Sequence, residues 1–239
     1  METFISLLRG INVSGQNKIR MPGLKGLYES LNLANVVPYI QSGNVIFDCA
    51  EQDPIPLARS IEAEITRSFG TSVRVFLRDK NSFQQIIDSN PFTNQRNEDP
   101  EKLHVTFLSD SPSEQGLRNL PASGGDCFAT PALAGGAREE RLTMTLDSKA
   151  CNDTTLRGDC IAAADGGESN FRIDSKRSWA GNADEFLVYD KEIYLFCPNG
   201  YGRTKLSNNY FERKLSVSAT TRNWKTVNAL YGIANQRRP

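Results

Sequence analysis

Only Gln41-Ser42-Gly43 separates two β-rich runs, Asn35 to Ile40 (NVVPYI) and Asn44 to Cys49 (NVIFDC). A connection that short forces an antiparallel hairpin, and the flanking chain has to be arranged around it. Pro38 withholds a ladder donor, which puts the first of the two strands at a sheet edge or a bulge. Upstream, Thr3 to Leu8 (TFISLL) is apolar at nearly every position and reads as a strand buried on both faces. A polar loop follows it, and then Pro22 opens an amphipathic helix carrying Leu24, Leu27, Tyr28 and Leu31. Downstream, Asp53 caps a helix in which Leu57, Ile61, Ile65 and Phe69 share a face and which Gly70 stops. Ser72 to Leu77 (SVRVFL) alternates and is a further strand.

Residues 3 to 77 therefore spell β-α-β-β-α-β, the order of the ferredoxin-like split βαβ sandwich with helices on one face of an antiparallel sheet. Phe83, Ile86 and Ile87 then mark a short helix ended by Pro91, and Thr93 to Lys102 is a polar connector. A second unit starts with the strand Leu103 to Leu108 (LHVTFL) and a short helix at Ser113 to Leu120. Residues 121 to 182 hold eight of the 18 glycines and three of the five cysteines without any sustained period, so a mobile insertion is expected there. The alternative is a small ordered subdomain around Leu142, Met144 and Leu146. Glu185 to Tyr189, the turn Asp190-Lys191 and Glu192 to Cys197 form a hairpin. Ser207 to Leu215 is helical, and a final helix is expected from about Thr221, capped by Thr220 or Thr221, with Trp224, Val227, Tyr231 and Ala234 on one face. The expected fold class is α+β, with two ferredoxin-like subdomains at 1–90 and 91–239, the second a variant carrying the insertion.

The 28 basic and 28 acidic residues cancel, so no global charge marks a nucleic-acid binder. The C-terminal stretch is different: Ile193 to Pro239 holds eight cations against Glu212 alone, a local net charge of +7. The N-terminal METFISLLRG lacks both a basic n-region and a long h-region, and no window approaches the ~20 apolar residues of a membrane span. That reads as a cytoplasmic protein. Cys49, Cys127, Cys151, Cys160 and Cys197 make an odd set without a CxxC pair, which suits free thiols in a reducing compartment.

Several chemistries fail on their spacing. Gly10 to Gly15 has the glycine spacing of a phosphate loop, but Gln16-Asn17 stand where the lysine and hydroxyl belong. Gly200-Tyr201-Gly202 begins like a dinucleotide fingerprint but lacks the third glycine and a parallel crossover. His104 is the sole histidine and sits in an apolar strand, so zinc and serine-histidine chemistry are excluded. Glu62/Glu64 and Asp184/Glu185 face different ways and make no acid-base dyad. No cofactor or metal is implied.

The stretches LLRGINVSGQNKI, YIQSGNVIF, NGYGRTKLSN, ERKL and ATTRNW, in that order, resemble a bacterial family known as domain of unknown function 1697. The resemblance covers residues 1 to about 120 and 183 to about 235. It implies two ferredoxin-like or related subdomains with no established biochemical role, joined in the second unit by a shorter segment than 121–182.

The glycine turn Cys197 to Lys205 can aim cations and amides at an anion. A plainer reading stands beside that one, in which Thr204 or Ser207 caps the next helix and the cations are solvated. The candidate ligand-binding set is Arg9, Asn12, Lys18, Gln41, Ser42, Asn44, Arg203, Lys205, Asn208, Arg222 and Asn223, serving a phosphate-bearing small molecule. This requires the loop after the first strand to meet the turn between the middle strands. A nucleic-acid partner for the basic C-terminal helices is the alternative, though the aromatic RNP signature is absent, and a protein-interaction module is a third. Trp224, set among Arg222 and Lys225, reads either as a stacking platform or as the anchor of the last helix.

Overall fold

The computed structural model describes residues 1–13, 17–51, 53–120 and 184–237. The expected insertion at 121–182 lies outside them. The first half runs β1 (Glu2–Leu8), α1 (Met21–Ser30), β2 (Ala34–Tyr39), β3 (Asn44–Cys49), α2 (Pro54–Phe69), β4 (Val75–Asp79), α3 (Lys80–Asp88) and the short α4 (Pro91–Asn94). The second runs β5 (Leu103–Leu108), α5 (Glu114–Arg118), β6 (Glu185–Tyr189), β7 (Glu192–Phe196), α6 (Asn208–Leu215), β8 (Ala219–Asn223) and α7 (Trp224–Asn235). Among the described residues no helix is long and apolar enough to cross a membrane.

The fold is α+β with two four-stranded antiparallel sheets, ordered β2-β3-β1-β4 and β6-β7-β5-β8. β2 is an edge strand, and its register with β3 shifts between Ala34 and Val37, which accommodates Pro38. β1, β3 and β5 sit inside their sheets and bury both faces, which is why they read as continuous apolar runs. Phe4, Leu8, Val45 and Phe47 point to α1 and α2, while Leu108, Ile193 and Leu195 point to the side of α5 and α6. Between the sheets lies a third core in which Ile5, Leu7, Ile46 and Phe76 of one sheet meet Val105, Phe107 and Tyr194 of the other. Phe83 of α3 and Trp224, Val227 and Leu230 of α7 fill the same layer, so Trp224 anchors the last helix.

Two expectations need correction. The final helix starts at Trp224, capped by Asn223, whose side chain accepts from Thr226 N at 2.8 Å. The preceding Ala-Thr-Thr-Arg-Asn is β8, a fourth strand in the second sheet. Its threonines imitate a helix cap, and it has no apolar alternation because the residue it buries most distinctively is an arginine. The other correction concerns Pro91. It opens α4, capped by Asn90 accepting from Phe92 N at 3.0 Å, whereas α3 has already ended at Asp88.

With β8 in place, the second half repeats the first. Leu8 N donates to Gly43 O at 2.7 Å, and Leu108 N donates to Lys191 O at 2.8 Å. Val75 N donates to Glu62 Oε1 at 2.8 Å, as Ala219 N does to Glu212 Oε1 at 2.9 Å. Asp79 caps α3 as Asn223 caps α7. The halves also clasp one another reciprocally. Arg78 of β4 reaches across to Leu108 O (2.9 Å), Lys191 O (3.5 Å) and Glu192 Oε1 (2.8 Å). Arg222 of β8 reaches back to Leu8 O (2.8 Å), Gly43 O (3.4 Å) and Asn44 Oδ1 (2.6 Å). At equivalent positions the two clasps differ in one partner. Where Arg78 finds a carboxylate, Arg222 finds an amide.

Candidate functional site

A cleft of about 1390 Å³ opens between the end of the first sheet and the β8–α6 side of the second. Arg9, Arg74, Arg222, Glu62, Glu212, His104 and Tyr201 are its charged or titratable lining residues. Two of the cations are neutralised locally. Arg9 Nη2 lies 2.6 Å from Glu212 Oε2, and Arg74 Nη1 lies 3.4 Å from Glu62 Oε2. Arg9 Nε also donates to Ala219 O at 3.0 Å while Glu212 accepts from Ala219 N, so this ion pair closes both outward backbone groups of an edge-strand residue.

Arg222 is the uncompensated charge. It is 8% exposed, and every acceptor it meets is neutral: Asn44 Oδ1, Thr220 Oγ1, Thr221 O, Leu8 O, Ser42 O and Gly43 O. Desolvation pushes its guanidinium down to about 10, and a depression of that size corresponds to about 3 kcal/mol against the charged form. Because the folded value is the lower one, this cost is present throughout the neutral range and is relieved only above that pH. Arg78 sits in the matching position with Glu192 at 2.8 Å, both nearly buried. There burial pushes the carboxyl of Glu192 up and Arg78 pulls it back.

Above Arg222 the cleft wall offers oriented donors. Asn209 Oδ1 is held by Arg9 Nη2 at 3.0 Å, which turns the Asn209 amide nitrogen away from that contact. Asn208 Oδ1 accepts from Thr221 Oγ1 at 2.6 Å, and Thr221 is held in turn by Thr106 at 2.7 Å. Neither amide nitrogen has a partner among the described residues, and both asparagines line the cleft. At the far end the ring of Tyr201 stacks on His104 with centroids 4.8 Å apart. His104 Nδ1 is buried with no hydrogen-bond partner among the described residues.

A family model described as a protein of unknown function, DUF1697, matches residues 1–130. The chain belongs to the DUF1697 family. A solved structure, a conserved bacterial protein from Streptococcus pneumoniae, is similar in fold, with a TM-score of 0.59 over 98% of each chain at 15% identity. No curated protein matches the sequence.

Of the residues that the sequence singled out in this DUF1697 chain, Arg9, Ser42, Asn208, Arg222 and Asn223 line the cleft. Asn12 and Gln41 lie beside it: Asn12 Nδ2 donates to Gln41 O at 2.9 Å, so the two loops do meet. Asn44 is buried behind Arg222. Lys18, Arg203 and Lys205 are exposed and outside the cleft lining, with Ser207 rather than Thr204 capping α6. Glu212, Asn209, Thr221, Tyr201 and His104 are cleft residues that single motifs did not assign to a site. Comparing the chain with itself finds part of this pattern, because Leu77-Arg78-Asp79 and Thr221-Arg222-Asn223 occupy one position in two copies of the fold.

Burial also lowers the proton affinity of His104 from its ordinary 6.5, against a smaller opposing effect of the Lys102 backbone. The unfolded chain therefore binds that proton first, and stability falls as pH drops through about 6.5. His104→Gln, which is neutral at every pH, is expected to flatten the loss of stability between about pH 7.5 and 5 in urea titrations. Equal pH slopes in the two proteins would rule this out.

Proposed function

We propose that the cleft binds a small anionic ligand, with phosphate-bearing compounds as the favoured class. The observation that carries this reading is the difference between the two clasps: Arg78 has Glu192, whereas Arg222 has Asn44 and an open cleft. All the N–H groups of Arg222 are directed at protein acceptors, so it contributes charge, while hydrogen bonds to the anion come from the amides of Asn208 and Asn209. An anion here would recover part of the desolvation cost that Arg222 carries alone.

Each half is read as one ferredoxin-like unit, divided near residue 90, and the site belongs to their junction. The buried free thiols Cys49 and Cys197 suit a cytoplasmic setting. The nucleic-acid alternative is weakened by where the C-terminal cations go. Arg222 is buried, Lys225 pairs with Glu101 at 2.7 Å and Arg237 with Asp48 at 3.0 Å, so among the described residues the exposed C-terminal cations outside an ion pair are Arg203, Lys205, Arg213 and Lys214, none of them on the last helix.

The test is thermal unfolding and calorimetric titration with inorganic phosphate and phosphomonoesters. Ligand at 100-fold its Kd adds about 2.7 kcal/mol, a shift of several degrees. Asn44→Asp, which is nearly isosteric, supplies Arg222 with the carboxylate that its twin already has. We expect it to stay folded and to bind phosphate at least tenfold more weakly. An anion response no larger than that to sodium chloride at equal ionic strength, or unchanged affinity in folded Asn44→Asp, would overturn the reading.

A further inference from the structure

Two exposed aliphatic side chains, Val13 and Ile40, line the cleft with accessibilities of 56% and 50%. Their segments are tied together by the Asn12 to Gln41 hydrogen bond, so the two side chains belong to one lip. Ile40 holds φ at 49°, in the left-handed region that a β-branched residue enters only at a cost. The matching turn of the second half puts Asp190 at the same φ of 49°, and aspartate is a residue type that tolerates this backbone. Packing does not explain the isoleucine, because Ile40 joins none of the three cores. An apolar side chain is therefore held, at backbone cost, on the wall of a charged cleft. Ser42, two residues further on, gives its carbonyl to Arg222 Nη2 at 3.2 Å, so the apolar lip adjoins the uncompensated cation.

We propose that the ligand is a phosphate monoester with an apolar ester group, its alkyl or aryl part packing on Val13 and Ile40 while the phosphate lies over Arg222. This rests on the anion reading above and adds the other half of the molecule. The lip is the specificity element of the cleft, and Arg222 with the two amides is the anchor.

The experiment is a calorimetric series of inorganic phosphate and straight-chain alkyl phosphates from methyl to hexyl. Affinity is expected to rise about three- to fourfold for each methylene that becomes buried, until the chain outgrows the lip. Ile40→Asn suits the left-handed backbone and is expected to fold at least as stably as the parent. In it the ratio of hexyl to methyl affinity is expected to collapse toward one, and Val13→Ser should lower the same ratio by a second route. Equal affinities along the series would overturn this inference and leave the anion reading standing, as would a chain-length dependence that survives in both variants. Absence of binding by phosphate and by every ester would overturn the anion reading itself, and this inference with it.

Discussion

Arg222→Met is expected to lower stability by about 3–5 kcal/mol, a loss like that from breaking a buried ion pair even though no carboxylate is involved. Two effects compete. Methionine carries no charge, so the substitution recovers the desolvation cost of about 3 kcal/mol. Against that, it takes the donor from six acceptors on three segments, Leu8, then Ser42, Gly43 and Asn44, then Thr220 and Thr221, of which Gly43 O keeps Leu8 N. Each buried acceptor left unmade costs about 1–3 kcal/mol, so the second effect wins. Most of these groups lie where the first sheet ends against β8, and the damage should loosen the junction between the halves. Denaturant unfolding followed by far-UV circular dichroism measures it, with the midpoint of thermal unfolding falling by about 6–20 °C. A loss below about 1 kcal/mol would mean that the guanidinium is not engaged as described.

Gly43→Ala is expected to cost about as much, by a steric route. Gly43 has φ of 78°, and a Cβ there would stand 2.7 and 2.8 Å from two Ile11 side-chain carbons and 2.9 Å from Leu8 Cβ. The left-handed backbone costs an alanine about 1–2 kcal/mol and forced overpacking about 1–3 more. Leu8 cannot move aside, because Leu8 N donates to Gly43 O at 2.7 Å and Leu8 itself is fully buried. Gly10 and Gly200 separate the two contributions. Their φ values are 68° and 86°, yet an added Cβ meets nothing within 4 Å, so Gly10→Ala and Gly200→Ala should show only the backbone part. Calorimetric unfolding of the three variants side by side decides it. If Gly43→Ala is no worse than the other two, the close approach of Ile11 and Leu8 is not real.

The first half of the fold was legible because each of its elements carries a local signal. The apolar run of β1, the short turn before β3 and the capped four-residue period of α2 need no tertiary information. β8 was not legible, since Thr220, Thr221 and Asn223 are residues that also begin helices, and the strand is defined by its pairing with β5. The site divided in the same way. Arg9, Asn208 and Arg222 stood out as cations and amides beside glycine-rich turns, and all three line the cleft. Nothing local marked Arg222 as buried or Asn44 as its partner across the molecule, because both facts arise from the packing of one half on the other. Lys18, Arg203 and Lys205 have the same residue chemistry on surfaces that the cleft does not reach.

The reciprocal clasp gives this chain an internal reference. A change of temperature or backbone rigidity acts on the Arg78 and Arg222 clasps together, because they close equivalent strand ends. An event that belongs to the cleft acts on Arg222 alone. A probe placed symmetrically in both copies would therefore separate folding from events confined to the cleft within one molecule, with the Glu192 copy serving as the blank.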